Sequence, residues 1–413
     1  MPTAKANNPN PMIDINNFIN QHITNRKESF FQNDLVKYNQ KLIEAISGKS
    51  VLVIGGGGTI GSSYIRSVLK YKPSKLYVVD ISENNLAELT RNLRSTLGTY
   101  VPENYKTYPV NFNDEVFYRI LKNEGPFDIV ANFAAHKHVR SEKDHYSITA
   151  LLENNIIRAE KFLSVLRQYP PQHFFCVSTD KAANPVNIMG ASKKIMEEMI
   201  MAYANYFPIT TARFANVAFS NGSLLDGFIY RLMQRQPFSV PTDVKRYFVS
   251  PDESGQICMM ACMLGKSGEI FFPKLEENQL TSFKDITEIF VKTMGMEVIP
   301  FDTEEGAKEY AAQMPADTKY WPVYYFNSDT SGEKAYEEFY TEGEILDLEA
   351  YHSLGVIKNA PRRSLDEIHI MINKLNQVLN GESLSKAKIV NVMTEFLPTF
   401  HHIETGKSLD QKM

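Results

Sequence analysis

Val51-Leu-Val-Ile-Gly-Gly-Gly-Gly-Thr-Ile-Gly61 decides the fold of this chain. A short apolar strand runs into a turn of glycines, and an amphipathic helix follows. Gly55, Gly58 and Gly61 recur at every third position. Glycine permits a tight turn, lets backbone N–H groups approach a pyrophosphate, and lets helix and strand pack closely. Thr59 and Ile60 lie between the last two of these glycines, and the helix N-terminus offers phosphates a favourable partial charge. A glycine run alone also makes plain turns. The strand before it, the helix after it and an acid at the end of the next strand make it a dinucleotide turn. That acid is Asp80, placed to accept from ribose hydroxyls and to repel a 2′-phosphate, so NAD is expected rather than NADP. The same carboxylate could instead cap the helix that begins near Ser82.

Outward from this turn, apolar strands alternate with amphipathic helices. Strands are expected at 50–54, 75–80, 106–110, 128–133, 173–178 and 209–214, with helices at 61–71, 83–97, 114–123, 149–168 and 189–206. This alternation implies parallel βαβ units and an α/β fold with a doubly wound parallel (Rossmann) sheet, whose ligands bind at the C-terminal strand ends. The pattern breaks down after Ala215, which points to a smaller C-terminal substrate-binding region. The expected division is an N-terminal extension at 1–48, an NAD-binding domain at 49–240, and a substrate-binding region with C-terminal extension at 241–413. Within the extension, Asn- and Pro-rich residues 1–24 read as flexible, and Phe31, Leu35, Tyr38, Leu42 and Ile46 mark one amphipathic helix over 28–46. Residues 303–334 read as loop.

The chemistry is concentrated where the fifth strand ends, at Ser178-Thr-Asp-Lys181, followed by Met189-Gly-Ala-Ser-Lys193. Asp180 and Lys181 set an acid beside a base. On a surface turn such a pair is usually just solvated; at a parallel strand end it lies beside the expected nicotinamide. Lys193 follows Met189 by four residues, on one helical face.

Composition narrows the partners. With 413 residues, 44 Lys and Arg against 48 Asp and Glu, and a net charge of −4, the chain has no basic excess to suggest nucleic acid. Three cysteines are too few for a disulfide framework, and Cys258 and Cys262 read as core packing rather than a metal site. No signal-peptide pattern and no bilayer-length apolar run is present, so a cytoplasmic protein without membrane insertion is expected. His401 and His402 read as tail residues, and no metal is expected.

Ser178-Thr-Asp-Lys-Ala-Ala-Asn-Pro-Val-Asn-Ile-Met-Gly-Ala-Ser-Lys193 resembles the UDP-N-acetylglucosamine 4,6-dehydratase family of bacterial polysaccharide biosynthesis proteins, within the extended short-chain dehydrogenases. Further similarity lies in Asp80-Ile-Ser-Glu-Asn-Asn-Leu86, Ala134-Ala-His-Lys-His-Val139, Arg213-Phe-Ala-Asn-Val217 and Arg246-Tyr-Phe248, so that it spans roughly Gly48 to Lys274. The superfamily has Tyr-x-x-x-Lys where this chain has Met189 and Lys193, and some family members share the methionine. A thioether cannot exchange a proton. Arg140 also departs from the family, which has a proline there.

The resemblance implies NAD-dependent oxidation of C4 of a bound hexose, loss of the C5 proton and the C6 hydroxyl, and return of hydride to C6. It assigns Thr179 to the C4 oxygen, Asp180 to the C6 acid, Lys181 to the C5 base and Lys193 to the cofactor ribose. As a base, Lys181 must be neutral part of the time. Lys137, Met189, Asn216 and Arg246 are the candidates for contact with the nucleotide sugar, and Asn155 is given a structural role. The resemblance also implies a homo-oligomer. Two other readings remain open at this point: a sugar-nucleotide epimerase, which needs no acid to expel water, and a non-catalytic cofactor-binding protein, for which Met189 speaks.

Overall fold

The structure, a computed structural model, describes residues 13–328, 334, 336–404 and 406. Its centre is a nine-stranded sheet. The first half of the chain supplies β1 (Ser50–Ile54), β2 (Lys75–Asp80), β3 (Asn104–Pro109), β4 (Ile129–Asn132), β5 (His173–Val177) and β6 (Ile209–Ala212). The second half adds β7 (Glu269–Pro273), β8 (Leu346–Asp347) and β9 (Leu354–Ile357). The order is β8-β9-β7-β6-β5-β4-β1-β2-β3. β1 to β7 run parallel, whereas β9 pairs antiparallel with β7 and β8 antiparallel with β9. This is the doubly wound sheet the alternation predicts. Its strand order reverses between β1 and β4, which opens a crevice at their C-terminal ends. β1, β4 and β5 are buried almost throughout because helices cover both faces, while the edge strand β3 is largely open.

The sheet does not stop where the alternation does. β7, β8 and β9 lie beyond residue 240, while the strand Phe238–Pro241 belongs to a separate three-stranded parallel sheet with Glu297–Phe301 and Tyr320–Phe326. A cut at 240 would therefore divide both layers. The small sheet packs around Phe228, Phe238, Phe290 and Trp321. The expected loop at 303–334 in fact contains the helix Glu304–Gln313, capped by Thr303, and the strand Tyr320–Phe326. Pro322 suggests a loop but is tolerated, since it lies outside the stretch Val323–Phe326 that pairs with Phe238–Pro241.

Two other expectations need correction. Of the stretch 1–24, residues 1–12 lie outside the described residues; the rest is ordered as Ile15–Phe18 and the π-turn Ile19–Ile23, with Phe18, Ile19 and Ile23 buried in the second core. The single helix over 28–46 is two, Gln32–Lys37 and Asn39–Ile46, hinged at Tyr38. Phe31, Leu42 and Ile46 do face the main core. Asp34 is buried in the first of these helices and accepts from the N–H groups of His352 and Ser353 at 2.7 Å, which ties the extension to β9.

The helix Pro251–Leu264 closes one face of the sheet against Thr59–Leu69. The contact is backbone-close: a Cβ on Gly255 would sit 2.2 Å from the Ser63 carbonyl oxygen. Cys176, Cys258 and Cys262 are free and buried, and the described residues hold no cluster of three His, Cys, Asp or Glu suited to a metal.

Candidate functional site

The glycine turn lies at the strand-order reversal. Gly55 leaves β1 with φ +74°, and a Cβ there would come within 2.6 Å of the Ala134 nitrogen on the loop after β4. A Cβ on Gly61 would lie 2.3 Å from the Gly55 carbonyl oxygen. Both positions therefore need glycine for close approach. The helix begins at Thr59, with Gly58 as a cap that has no side chain to occupy the first N–H groups. These residues fit a dinucleotide: the cradle is one that side chains would fill, and its donors point where a pyrophosphate binds. Ile60 is half-buried in the first turn, and the Thr59 hydroxyl accepts from the Asn221 N–H at 3.0 Å. Gly61→Ala is expected to displace this turn and lower unfolding stability by about 1–3 kcal/mol, as overpacking against backbone does; urea denaturation measures it.

Asp80 ends β2. Its Oδ2 accepts from Gly57 N–H and its Oδ1 from Ser82 N–H, both at 2.9 Å. The helix Glu83–Ser95 is capped by Ser82 itself. Asp80 is thus not that helix's cap: it braces the glycine turn, and each oxygen keeps lone-pair capacity for a ribose hydroxyl.

At the end of β5, Thr179 caps a short 3-10 turn, Asp180–Ala182. Asp180 Oδ1 accepts from the Thr179 hydroxyl at 2.8 Å, from the Lys181 N–H at 2.9 Å and from Lys181 Nζ at 3.1 Å. Lys181 Nζ also lies 3.5 Å from Glu337 Oε1. Burial pulls the Lys181 ammonium toward neutrality, but the Asp180 and Glu337 carboxylates outweigh it and hold its pKa above the ordinary value, with Arg246 opposing them. With two acids beside it the charged form of Lys181 is favoured, and the base role implied by the resemblance requires that this proton be shed first.

Lys193 is 4% exposed, and its Nζ donates to the Val177 carbonyl at 2.6 Å, beneath the same turn. Burial lowers its pKa, with Cys176 and Glu197 opposing. Met189 is buried, and its N–H donates to Glu142 Oε1 at 3.1 Å. His402 Nε2 lies 3.2 Å from the other Glu142 oxygen, so His402 packs against the site instead of trailing as a tail. Asn155 has the structural role expected. Its amide bonds both the N–H and the carbonyl of His136 at 2.9 Å and reaches Ser192 at 3.1 Å. A π-turn at Glu153–Ile157 carries Asn155 and splits the expected helix 149–168 into His145–Leu152 and Arg158–Leu166.

A cavity of about 500 Å³ brings Lys137, Lys181, Asn216 and Arg246 together. Lys137 donates to the Asn221 carbonyl at 3.0 Å, and Arg246 is 5% exposed with Nη1 on the carbonyls of Lys245 and Lys334. Sequence reasoning missed several residues here. Arg140 and Arg231 line the same cavity. Burial and the nearby Arg140 guanidinium both push Arg231's pKa down, as expected where cations gather around a space for an anion. Also missed was a buried ionic core behind Ser178. Arg213, 0% exposed, binds Glu197 in a fork at 2.8 and 2.7 Å and Glu344 at 2.9 and 2.8 Å. Glu197 accepts from Ser178 Oγ at 2.6 Å. The neighbouring cations overcome burial and hold the Glu197 carboxyl down at about 2.

Known proteins resemble this chain at moderate identity. It is 28% identical over 358 residues to the uncharacterized membrane protein MJ1061 of Methanocaldococcus jannaschii, covering 84% of this chain and 96% of that one. It is 28% identical to the capsular polysaccharide biosynthesis protein CapD of Staphylococcus aureus, covering 79% of this chain but only 51% of that longer protein. It is 26% identical over 247 residues to a UDP-N-acetylglucosamine 4,6-dehydratase (inverting) of Campylobacter jejuni, covering 57% of this chain and 70% of that one. The sequence pattern of one family matches residues 51–359, the whole span from β1 to β9, and this chain is a member of that family, the polysaccharide biosynthesis proteins.

Proposed function

We propose that this protein catalyses NAD-dependent 4,6-dehydration of a nucleotide-activated N-acetylhexosamine, UDP-N-acetylglucosamine, giving a 4-keto-6-deoxy sugar for a surface glycan. The observation that carries this reading is the hydrogen-bonded run Thr179–Asp180–Lys181 at the end of β5, with Lys181 opening onto a cavity rich in cations. An epimerase needs no acid to expel water; this turn keeps an acid and a base in contact. Similarity alone does not make this choice, since 4,6-dehydratases of Campylobacter jejuni and UDP-glucose 4-epimerases of Rickettsia both match at 25–26% identity.

Bound NAD would supply the acceptor for the C4 hydride and the donor of that hydride to C6. The residues manage the protons. The Thr179 hydroxyl binds the C4 oxygen and passes its proton to Asp180 Oδ1, the contact already formed at 2.8 Å. Asp180 then holds the proton that the departing C6 hydroxyl needs, and Lys181 takes the C5 proton. Met189 exchanges none: its side chain is buried and lies outside the residues that line the cavity, so it is not the substrate contact expected from the resemblance. Lys193 holds the nicotinamide ribose. Lys137, Asn216 and Arg246, joined by Arg140 and Arg231, receive the diphosphate and sugar. The protein would act in the cytoplasm as a homo-oligomer, with Arg246, Phe248, Phe283 and Phe326 from beyond residue 240 lining the cavity for the nucleotide sugar. Among the described residues no helix is long and apolar enough to cross a membrane.

Incubation with UDP-N-acetylglucosamine, followed by NMR of the sugar, is expected to give the 4-keto-6-deoxy product, and native mass spectrometry is expected to find NAD on the purified protein. A C4 epimer that keeps its C6 hydroxyl would establish the epimerase reading instead. Bound NADP would mean that Asp80 braces the turn without touching the ribose.

A further inference from the structure

The lysine that must take the C5 proton sits between two carboxylates, 3.1 Å from Asp180 and 3.5 Å from Glu337, which favour its charged form, and an ammonium accepts no proton. Its proton has to leave before the elimination. Asp180 is the nearer carboxylate, but it already receives three donors, and the C4 proton is routed to it. Glu337 is different. It comes from the segment after the small sheet, is 5% exposed, and has its Oε1 3.5 Å from Lys181 Nζ. Its Oε2 is buried without a hydrogen-bond partner among the described residues; the nearest cation, Lys334 Nζ, is 4.0 Å away. A buried carboxylate oxygen without a donor is costly as an anion and less so as an acid.

We propose that Glu337 is the positioning residue that takes up the proton shed by Lys181, so that the lysine meets C5 as a neutral amine. The inference rests on Lys181 being the C5 base. In the step, one N–H bond of the Lys181 ammonium breaks, an O–H bond forms on the Glu337 carboxylate, and an ion pair becomes a neutral amine and a neutral carboxylic acid. No other reactant is needed. The amine lone pair then takes the C5 proton, and that proton can later return to C5 with the Glu337 acid unchanged. Substrate filling the cavity removes water and favours the neutral pair over the charged one. The charged groups facing Glu337 are Lys181, Asp180, Arg246 and Lys334. Burial raises its carboxyl pKa; Lys181, Arg246 and Lys334 pull it back, and Asp180 adds to the rise.

The test compares wild type, Glu337→Gln and Glu337→Asp on UDP-N-acetylglucosamine in deuterated solvent. Gln keeps the shape and cannot take the proton. Its kcat is expected to fall about tenfold with little change in KM, and deuterium entry at C5 to slow equally. Oxidation at C4 in the first turnover stays normal. Activity of the Gln variant is expected to recover as pH rises, because solvent can then deprotonate Lys181. Asp, with the carboxyl on a shorter stem, is expected to fall between the two. If Glu337 merely holds Lys181 as a cation, its removal lowers the lysine pKa. The Gln variant would then equal or exceed wild type at neutral pH, which overturns the proposal. The Asp variant decides the same point should the Gln variant not fold: deuterium entry at the wild-type rate also overturns it. Absence of keto-deoxy product from the wild type would instead overturn the dehydratase reading itself.

Discussion

Asp180→Asn and Lys181→Ala are each expected to lower turnover of UDP-N-acetylglucosamine by ~10²–10⁴-fold, the usual cost of losing one positioned acid or base. They should fail at different points. Asp180→Asn keeps the size of the side chain and one acceptor oxygen for the Lys181 N–H, now at 2.9 Å, but an amide could not carry the C4 proton. This variant is expected to stall early, with little oxidation at C4. Lys181→Ala leaves the Thr179–Asp180 contact in place, so oxidation at C4 should proceed and the sugar should then wait for a base at C5. Single-turnover absorbance of reduced nicotinamide distinguishes the two: it builds up in the lysine variant and not in the aspartate variant. Near-normal steady-state turnover in both would remove Asp180 and Lys181 from the chemistry. Retained cofactor and unchanged circular dichroism show that the loss is chemical and not a failure to fold.

The sequence shows the parts of this site that lie on one segment and hides those that meet across segments. The glycine turn is legible because its strand, glycines and helix are contiguous, and Asp80 because it ends the next apolar strand. Thr179, Asp180 and Lys181 are adjacent in sequence and stay adjacent in space. Glu337 leaves no such trace: it comes from a stretch far along the chain, and only folding puts it against Lys181. The same holds for Arg140 and Arg231, which reach one cavity from two segments. Sequence reasoning misses the charge balance around Lys181 for this reason, since one of its two carboxylates is out of view. Helix interruptions escape a period-based reading as well. The π-turn around Asn155 preserves the apolar pattern on either side while the amide turns inward to His136. In 303–334, prolines outweigh an aromatic strand whose fit depends on its neighbours at Phe238–Pro241 and Glu297–Phe301.

Arg213→Met should be the most destabilising single change near the site, by roughly 3–5 kcal/mol in urea unfolding, because it removes one member of a buried ionic group and leaves the others uncompensated. Methionine fills much of the space, so the loss reflects charge more than cavity. Glu197 and Glu344 would then face each other with Lys194 alone, 3.6 Å from an oxygen of each. The pH dependence identifies the cause. In the wild type Glu197 titrates at about 2, below its ordinary value of 4.5. A depressed folded-state pKa contributes stability that is present above the unfolded value and is lost as pH falls from there through the folded one. Without the guanidinium, burial should dominate and raise the Glu197 pKa, so the variant gains stability as acid neutralises the carboxyl. The gap between wild type and Arg213→Met is therefore expected to narrow as pH falls through the ordinary carboxylate range toward the acid limb. A gap independent of pH would mean that lost packing, and not an orphaned carboxylate, accounts for the effect. Function is coupled to this core on two sides, by Glu197 on Ser178 and by Arg213 Nη1 on the Phe339 carbonyl, two residues from Glu337. Glu197 holds Ser178, and Ser178 leads directly into Thr179, Asp180 and Lys181. A loosened Glu197 releases the residue that sets where the proton-transfer groups begin, so the variant that survives folding should also lose kcat more than it raises KM.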